Sequence, residues 1–247
     1  ESYANSSCAV AMLFGGIGSL IGGYGVIAVL IPITKNVSMH VYNYAMYFAM
    51  ISVIYSLSLA VIQTDLKRIL CCVTVCYSAI AAVGIFSCDT NGFIGGVYCL
   101  LANGVVSSLL FCVMYVAKAR GELRYLSTIV HVSLLALVAT PLLPFFNSGF
   151  FITVGLLHKH LWLGIILCSG MIWGMSLIVK LIYEMLFCNA GGPKEISLSK
   201  NELIYLLPPM FFILLIGLFP KTIMKSLHNF EYQSLFTAAH FSEGGSQ

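Results

Sequence analysis

The sequence predicts an all-α integral membrane protein of about seven transmembrane helices, and three observations carry this prediction. Hydrophobic residues make up 60% of the 247 residues and charged residues only 9%, whereas soluble domains carry about 25% charged residues. Seven apolar runs are long enough to cross a bilayer. The basic residues fall unevenly on alternate connections. These features exclude a soluble enzyme, a disordered regulator and a nucleic-acid binder, and the net charge of +3 requires no polyanionic partner.

The predicted spans form a single transmembrane domain over residues 1–247. They cover residues 9–33, 41–63, 68–87, 91–117, 126–157, 160–187 and 203–224. Residues 188–202 are predicted to form an inside loop, and residues 226–247 a surface tail. The first residues, Glu1 to Asn5, lack the basic and apolar stretches of a cleavable signal, so none is expected.

The fifth span is too long for one helix and is predicted to be broken at Pro141 and Pro144. Asn147 and Gly149 lie beside these prolines. Each proline removes a backbone donor and blocks the preceding helical turn. An unwound joint at membrane depth requires other protein, or a water-filled cavity, to satisfy its backbone groups. We therefore expect the break to be packed against protein.

The basic residues predict the orientation. With connections numbered alternately, one side receives eight of the twelve Lys and Arg residues, including all three arginines, and the other side four. The positive-inside rule places the first side in the cytoplasm or the mitochondrial matrix. The N-terminus is then inside and the C-terminus outside.

Few polar residues inside the spans suggest chemistry. Six of the nine cysteines lie in apolar runs, where we expect buried thiols that behave as small hydrophobic groups: Cys71, Cys72, Cys76, Cys99, Cys112 and Cys168. No CxxC pair occurs and no His stands at ligand spacing from a Cys, so no metal site is predicted. Asn103, in the middle of the fourth span, needs a partner and is expected to hydrogen-bond between helices.

The ionisable residues favour interfacial roles over a proton site. Asp65 is expected to neutralise part of the Lys67 and Arg68 cluster. Lys180 and Glu184 stand one turn apart and are expected to pair or to extend to the interface. Three histidines lie at or near the ends of the fifth span and are interpreted as interfacial anchors: His131, His158 and His160.

Five strings resemble the antiporter-like subunits of respiratory complex I, and subunit 4 most of all. They are GGYG at 22–25, QTDLKR at 63–68, ANGVVSSLLF at 102–111, the following arginines, and GLFP at 217–220. Their order and spacing agree over residues ~10–225. The residues retained from the family's motifs are Gln63, Asp65, Lys67, Arg68, Arg120 and Arg124.

The resemblance covers only the last seven of the family's roughly fourteen spans. It implies half of an antiporter-like fold, with the break in the fifth span matching the family's second broken helix. It also implies other membrane-arm subunits as partners, together with membrane lipids and a possible separate chain carrying the N-terminal half. NADH, FMN, iron–sulfur clusters and ubiquinone are implied for the whole complex, and no cofactor is expected in this chain.

The family's proton-relay positions are replaced in this sequence. Leu20 stands where the family has a lysine, and Tyr77 and Asn103 where it has histidines. The acidic residue of the broken helix falls at Ile152 or Thr153. A relay needs groups that gain and lose protons near neutral pH, and none of these side chains does so.

The resemblance implies a membrane-arm subunit of proton-translocating NADH:ubiquinone oxidoreductase, part of an enzyme but without catalytic redox residues of its own. Its relay is predicted to be lost and its role mainly structural, in the mitochondrial inner membrane or, alternatively, a bacterial plasma membrane. A cation/proton antiporter and the sister subunits 2 and 5 remain alternatives.

Overall fold

The computed structural model describes residues 7–34, 39–120, 133–138, 140–141, 143–187 and 200–220. Side chains are described throughout these ranges except at residues 8, 9, 32, 39, 117–120, 177–187 and 200–205. All regular structure in the described ranges is helical. The helices are α1 at 8–33, α2 at Met39–Ile62, α3 at Leu66–Phe86, α4 at Thr90–Arg120, α5 at 133–137, α6 at Pro144–Lys159, α7 at Leu161–Phe187 and α8 at Lys200–Leu218.

Four of these helices are long and apolar enough to cross a membrane within the described residues. They are Val10–Leu30, His40–Ile62, Leu66–Phe86 and Thr90–Val116. Two shorter apolar helices, Leu161–Ser176 and Leu206–Leu218, represent the last two predicted spans. Helix α8 begins at Lys200, so residues 200–202 of the predicted loop are helical, and residues 188–199 lie outside the described residues. The predicted tail at 226–247 lies outside the described residues.

Helix α1 departs from the plain helix that its hydropathy predicts. It contains two five-residue π segments, Phe14–Gly18 and Val26–Leu30. Such wide turns are rare and occur mostly as single turns inside α-helices. Ser19 lies directly after the first segment, and its hydroxyl donates to the carbonyls of Gly15 at 2.9 Å and Gly16 at 3.0 Å.

Helix α4 is the centre of the bundle, since α1, α3, α6 and α8 all pack against it. Its contact with α1 is made by two glycines. A Cβ placed on Gly16 would lie 3.3 Å from the carbonyl oxygen of Gly104, and one on Gly104 would lie 3.2 Å from that of Gly16. Small residues of this kind let transmembrane helices approach through their backbones. Helices α2 and α7 pack on the outside of this centre.

The fifth span is broken, as the prolines predict. Helix α5 ends at Leu137, and helix α6 begins at Pro144, the first-turn position that proline favours. Asn147 and Gly149, which follow the two prolines, lie inside α6.

Candidate functional site

Four of the five predicted relay positions meet along one stretch of α4: Leu20, Tyr77, Asn103 and Ile152. We call these four, together with Thr153, which follows Ile152 on α6, the central row. Their neighbours on α4 run from Gly95 through Cys99 to Gly104, and these nine steps of helix span about 14 Å. The structure thus brings together four of the five positions that the sequence singled out.

At one end of the row, Leu20 packs directly on α4. A Cβ placed on Gly104 would lie 3.0 Å from Leu20 Cδ1 and 3.2 Å from its Cγ. The leucine side chain therefore occupies the space beside the missing side chain of Gly104. The leucine side chain contributes neither a proton donor nor a proton acceptor to this contact.

Asn103 forms the interhelical hydrogen bond that its burial requires. Its side chain is 2% exposed, and its Nδ2 donates to the carbonyl oxygen of Thr74 on α3 at 3.2 Å. A buried amide without a partner would cost several kcal/mol. The expected pairing between helices is confirmed, and the amide ties α4 to α3.

Tyr77 is bound to the break in the fifth span. Its hydroxyl donates to the carbonyl oxygen of Leu137, and its ring stacks on Phe145 with centroids 3.7 Å apart and planes 21° apart. Leu137 lies four residues before Pro141, which has no N–H to donate to that carbonyl. The tyrosine hydroxyl replaces the missing donor. The carbonyl of Leu137, at the start of the break, is therefore bound from within this chain, by α3.

Ile152 fills a slot made by glycines. Its side chain is fully buried. A Cβ on Gly84 would lie 2.9 Å from Ile152 Cγ1, and one on Gly95 would lie 2.9 Å from the same atom and 2.8 Å from the Ile152 nitrogen. The side chain therefore packs directly on the backbone at these two glycines. At Thr153 the hydroxyl donates within its own helix, to the carbonyl oxygen of Phe150 at 2.8 Å.

A second tyrosine hydroxyl binds a carbonyl four residues before a second proline. The sequence did not predict this contact. The Tyr98 hydroxyl donates to the carbonyl oxygen of Ile216, which lies four residues before Pro220. Asn147 Nδ2 donates to the next carbonyl, that of Gly217, at 3.0 Å. The carbonyls that Pro220 disturbs in α8 are thus held by α4 and α6. Proline spacing identifies these carbonyls, but no pattern in the sequence names the side chains that reach them.

Four of the retained motif residues lie at the start of α3 or in the connection before it: Gln63, Asp65, Lys67 and Arg68. Gln63 and Asp65 belong to the connection between α2 and α3, and Arg68 Nε lies 3.1 Å from Asp65 Oδ2. The expected neutralisation by Asp65 is confirmed for Arg68. Lys67 is half-buried in the first turn of α3. The other two retained residues are arginines. The structure describes only the helical backbone of Arg120, and Arg124 lies outside the described residues.

The other ionisable candidates give no cluster near the row. His158 is exposed and His160 half-buried at the end of α6. His131 and the side chains of Lys180 and Glu184 lie outside the described part of the chain. Within that part, no three His, Cys, Asp or Glu residues are grouped so as to hold a metal ion.

The cysteines are mostly buried as expected. Cys71, Cys76 and Cys99 are buried, and Cys72 and Cys112 are half-buried. The prediction is wrong for Cys168, which is exposed on α7. An apolar run does not distinguish a buried helix face from an outward one, because both are apolar in a membrane.

The turn between α3 and α4 anchors the far end of α6. Lys159 Nζ donates to the carbonyl oxygen of Cys88. The backbone of Cys88 is left-handed, with a φ of 52°. The Asp89 carboxylate accepts a hydrogen bond from the Asn91 N–H at 3.0 Å and caps the start of α4. Burial raises the pKa of the Cys88 thiol to about 11, against the opposing effect of Lys159. Helix α6 is thus fixed at both of its ends.

The sequence profile of the family described as NADH:quinone oxidoreductase/Mrp antiporter, transmembrane, matches residues 1–182. The chain is 25% identical over 244 residues to NADH-quinone oxidoreductase subunit M of Rickettsia typhi, covering 92% of this chain and 49% of that protein. It is 23% identical to NADH-ubiquinone oxidoreductase chain 4 of Metridium senile, covering 99% and 51%. The chain spans about half the length of these relatives.

Two solved structures share the fold. A chain of respiratory complex I from Thermus thermophilus superimposes with a TM-score of 0.80 at 23% identity, over 90% of this chain and 50% of that one. A chain of the Mrp complex from Dietzia sp. DQ12-45-1b superimposes with a TM-score of 0.72 at 14% identity, over 96% and 54%. At these identities the likeness establishes the fold alone.

Proposed function

Because this chain belongs to the NADH:quinone oxidoreductase/Mrp antiporter transmembrane family, we propose that it is a membrane-arm subunit of a proton-translocating NADH:ubiquinone oxidoreductase. It corresponds to the C-terminal half of subunit 4. NADH, FMN, iron–sulfur clusters and ubiquinone are held by other subunits of the complex. Its location is the mitochondrial inner membrane, with a bacterial plasma membrane as the alternative.

Within that complex, we infer that the central row does not carry protons. The observation that supports this most directly is the packing of Ile152 between Gly84 and Gly95. A proton path requires titratable side chains joined by water or by hydrogen bonds. Leu20, Asn103 and Ile152 cannot titrate near neutral pH, so the row is interrupted at three positions.

The same side chains support a structural role. Tyr77 and Asn103 each occupy a relay position, and each donates its hydrogen bond to a backbone carbonyl of a neighbouring helix. Both groups are used to hold helices together. We infer that the chain preserves the shape of an antiporter-like half and fills its place in the membrane arm.

Membership of the complex is tested by purifying the tagged chain in mild detergent. We expect it to migrate with an assembly that oxidises NADH with a quinone acceptor, and mass spectrometry of the assembly should identify the neighbouring subunits. The same inventory reveals whether a separate polypeptide carries the remaining half. Migration as a small oligomer without this activity would contradict the proposal and favour a stand-alone antiporter.

The loss of the relay is tested separately, in proteoliposomes containing the purified chain and a pH-sensitive dye. We expect no proton flux above that of protein-free vesicles under an imposed membrane potential. Asn103→His is expected to leave the flux unchanged, because Leu20 and Ile152 still interrupt the row. Measurable flux in the unmodified chain, or its restoration by Asn103→His, would contradict a non-conducting row.

A further inference from the structure

The seventh span is interrupted, like the fifth. The sequence predicts one span over residues 203–224, whereas α8 ends at Leu218 and Phe219 is not helical. Helical backbone is present again at Pro220. Proline favours the first turn of a helix, and Pro144 begins α6 in the same way. Each of the two spans therefore contains a break that is followed by a proline.

The interruption of the seventh span lies deep in the membrane. Tyr98 contacts the last turn of α8 and lies about 12 Å along α4 from its first residue. Asn147 contacts the same turn and lies about 18 Å along α6 from its last residue. Lys159, at that end of α6, is bound to Cys88 in the turn before α4, so both lengths start from about the same level. Because a bilayer core is about 30 Å thick, the end of α8 lies near its middle.

Three consecutive carbonyls at the end of α8 are bound, two of them by other helices. The Leu215 oxygen accepts the N–H four residues further along the chain, at 3.1 Å. Tyr98 donates to Ile216, and Asn147 Nδ2 donates to Gly217 at 3.0 Å. The side chains of Tyr98 and Asn147 also hydrogen-bond to each other. Since a carbonyl without a donor is strongly unfavourable at this depth, the position of the α8 end depends on α4 and α6.

The first turn of α6 connects the two breaks. Phe145 in this turn is 1% exposed and stacks on Tyr77, which holds the carbonyl of Leu137 before the break in the fifth span. Two residues later, Asn147 holds the carbonyl of Gly217 before the break in the seventh span. The N-terminus of α6, the positive end of its dipole, therefore lies beside the C-terminus of α8, the negative end. A continuous row of contacts runs from Leu137 to Gly217.

We propose that this row makes the two breaks one conformational unit, so that a displacement at either break displaces the other. We call Tyr77, Phe145 and Asn147 the inter-break link, in which Asn147 is the positioning residue for α8. Packed side chains and hydrogen bonds of this kind can carry coupling between distant sites. The proposal concerns the helices of this chain and does not depend on its membership of a complex.

The test is hydrogen–deuterium exchange of the full chain in phospholipid vesicles, measured by mass spectrometry on peptides that contain α5 and the end of α8. Tyr77→Phe removes the donor to Leu137, at the α5 side of the link. We expect exchange to rise about fivefold in α5 and also at the end of α8, the effect of losing one buried hydrogen bond. Tyr98→Phe removes the donor to Ile216, and exchange in α5 should rise as well, because coupling is reciprocal.

Breaking the inter-break link provides the matched test. In an Asn147→Leu background, Tyr77→Phe should raise exchange in α5 and cause no further rise at the end of α8. Thr153→Val is the control, because the Thr153 hydroxyl donates within α6, to the carbonyl of Phe150, and it should change neither peptide. If Asn147→Leu fails to fold, Asn147→Ser takes its place, since a serine side chain is too short to reach Gly217.

A rise confined to α5 in Tyr77→Phe and to α8 in Tyr98→Phe would overturn the proposal. An equal rise throughout the chain, α1 included, would also overturn it, because such a rise reports a loss of overall stability. The same holds if the effect of Tyr77→Phe on α8 persists in the Asn147→Leu background. None of these outcomes measures proton flux or NADH oxidation, so the proposed function is tested independently.

Discussion

The α1 edge of the molecule and its α3–α4 centre have similar hydropathy but opposite environments. In α1, 11% of the residues in the apolar span are buried, against 67% in α3 and in α4. Large apolar side chains on α1, including Phe14, Ile21 and Tyr24, are exposed. Lipid solvates such side chains as well as a protein core does, so hydropathy does not separate the two regions.

The glycines on the outer face of α1 separate the two regions. At the centre, a Cβ on Gly84 would meet backbone atoms of α4, whereas on α1 a Cβ on Gly22 or Gly25 would meet nothing within 4 Å. Glycine therefore permits close helix packing at the centre and on the inner face of α1, where Gly16 packs on α4, but it has no packing role on the outer face of α1. The comparison predicts that matched substitutions will have very different effects in the two regions.

The largest difference is expected between Gly84→Leu and Gly22→Leu. A Cβ on Gly84 would lie 2.7 Å from the carbonyl oxygen of Gly92 and 2.9 Å from the Cα of Gly96. Because backbone must move, we expect Gly84→Leu to lower the free energy of unfolding by about 3 kcal/mol or more. Gly22→Leu should change it by less than about 0.5 kcal/mol. SDS titration followed by circular dichroism measures both, and equal effects would contradict the comparison.

The second-largest difference in unfolding free energy is expected when one isoleucine in each region is truncated to alanine. Ile152→Ala at the centre removes a fully buried side chain from the glycine slot and is expected to cost about 2–4 kcal/mol. Ile21→Ala at the edge removes a side chain that is 66% exposed, and it should cost less than about 1 kcal/mol because lipid fills the space. The same titration compares them. A cost for Ile152→Ala no greater than that for Ile21→Ala would show that the slot is loosely packed.

Loss of a hydroxyl at the centre is expected to cost less. Tyr77→Phe leaves the carbonyl of Leu137 without its donor, at about 1–2 kcal/mol, while the stack on Phe145 is kept. Tyr55→Phe, on the exposed face of α2, is the control and should be neutral. Pro141→Ala restores an N–H that can serve the same carbonyl, so the cost of Tyr77→Phe should shrink in that background. Additive effects in this double-mutant cycle would refute the proline-capping role of Tyr77.

Much of the architecture was predictable because membrane helices are constrained by backbone satisfaction. The apolar runs predicted the helices, and Pro141 and Pro144 predicted the break. The five central-row positions were identified from the family resemblance, and the structure brings four of them, all except Thr153, to one stretch of α4. What each replacement does there was not predictable. Tyr77 was classed as a lost histidine, yet its hydroxyl supports the break.

The parts that were missed depend on contacts distant in sequence. Tyr98 and Ile216 are 118 residues apart, and Asn147 and Gly217 are 70 apart. Cys168 was expected to be buried, because hydropathy does not report which face of α7 turns outward. Within a membrane span, the distinction between a packed face and a lipid-facing one requires the arrangement of the neighbouring helices.

The smallest expected effect concerns the end of the tightly packed centre, at the turn between α3 and α4. Burial raises the pKa of the Cys88 thiol to about 11, and only the thiolate reacts with alkylating agents. The rate of Cys88 alkylation by iodoacetamide, followed on its peptide by mass spectrometry, should therefore rise about tenfold for each pH unit from 7 to 9, because the thiol stays mostly protonated over this range. A rate that levels off near pH 9 would indicate an ordinary thiol pKa. That result would show that the close packing of α3 and α4 does not extend to Cys88 in the turn between them.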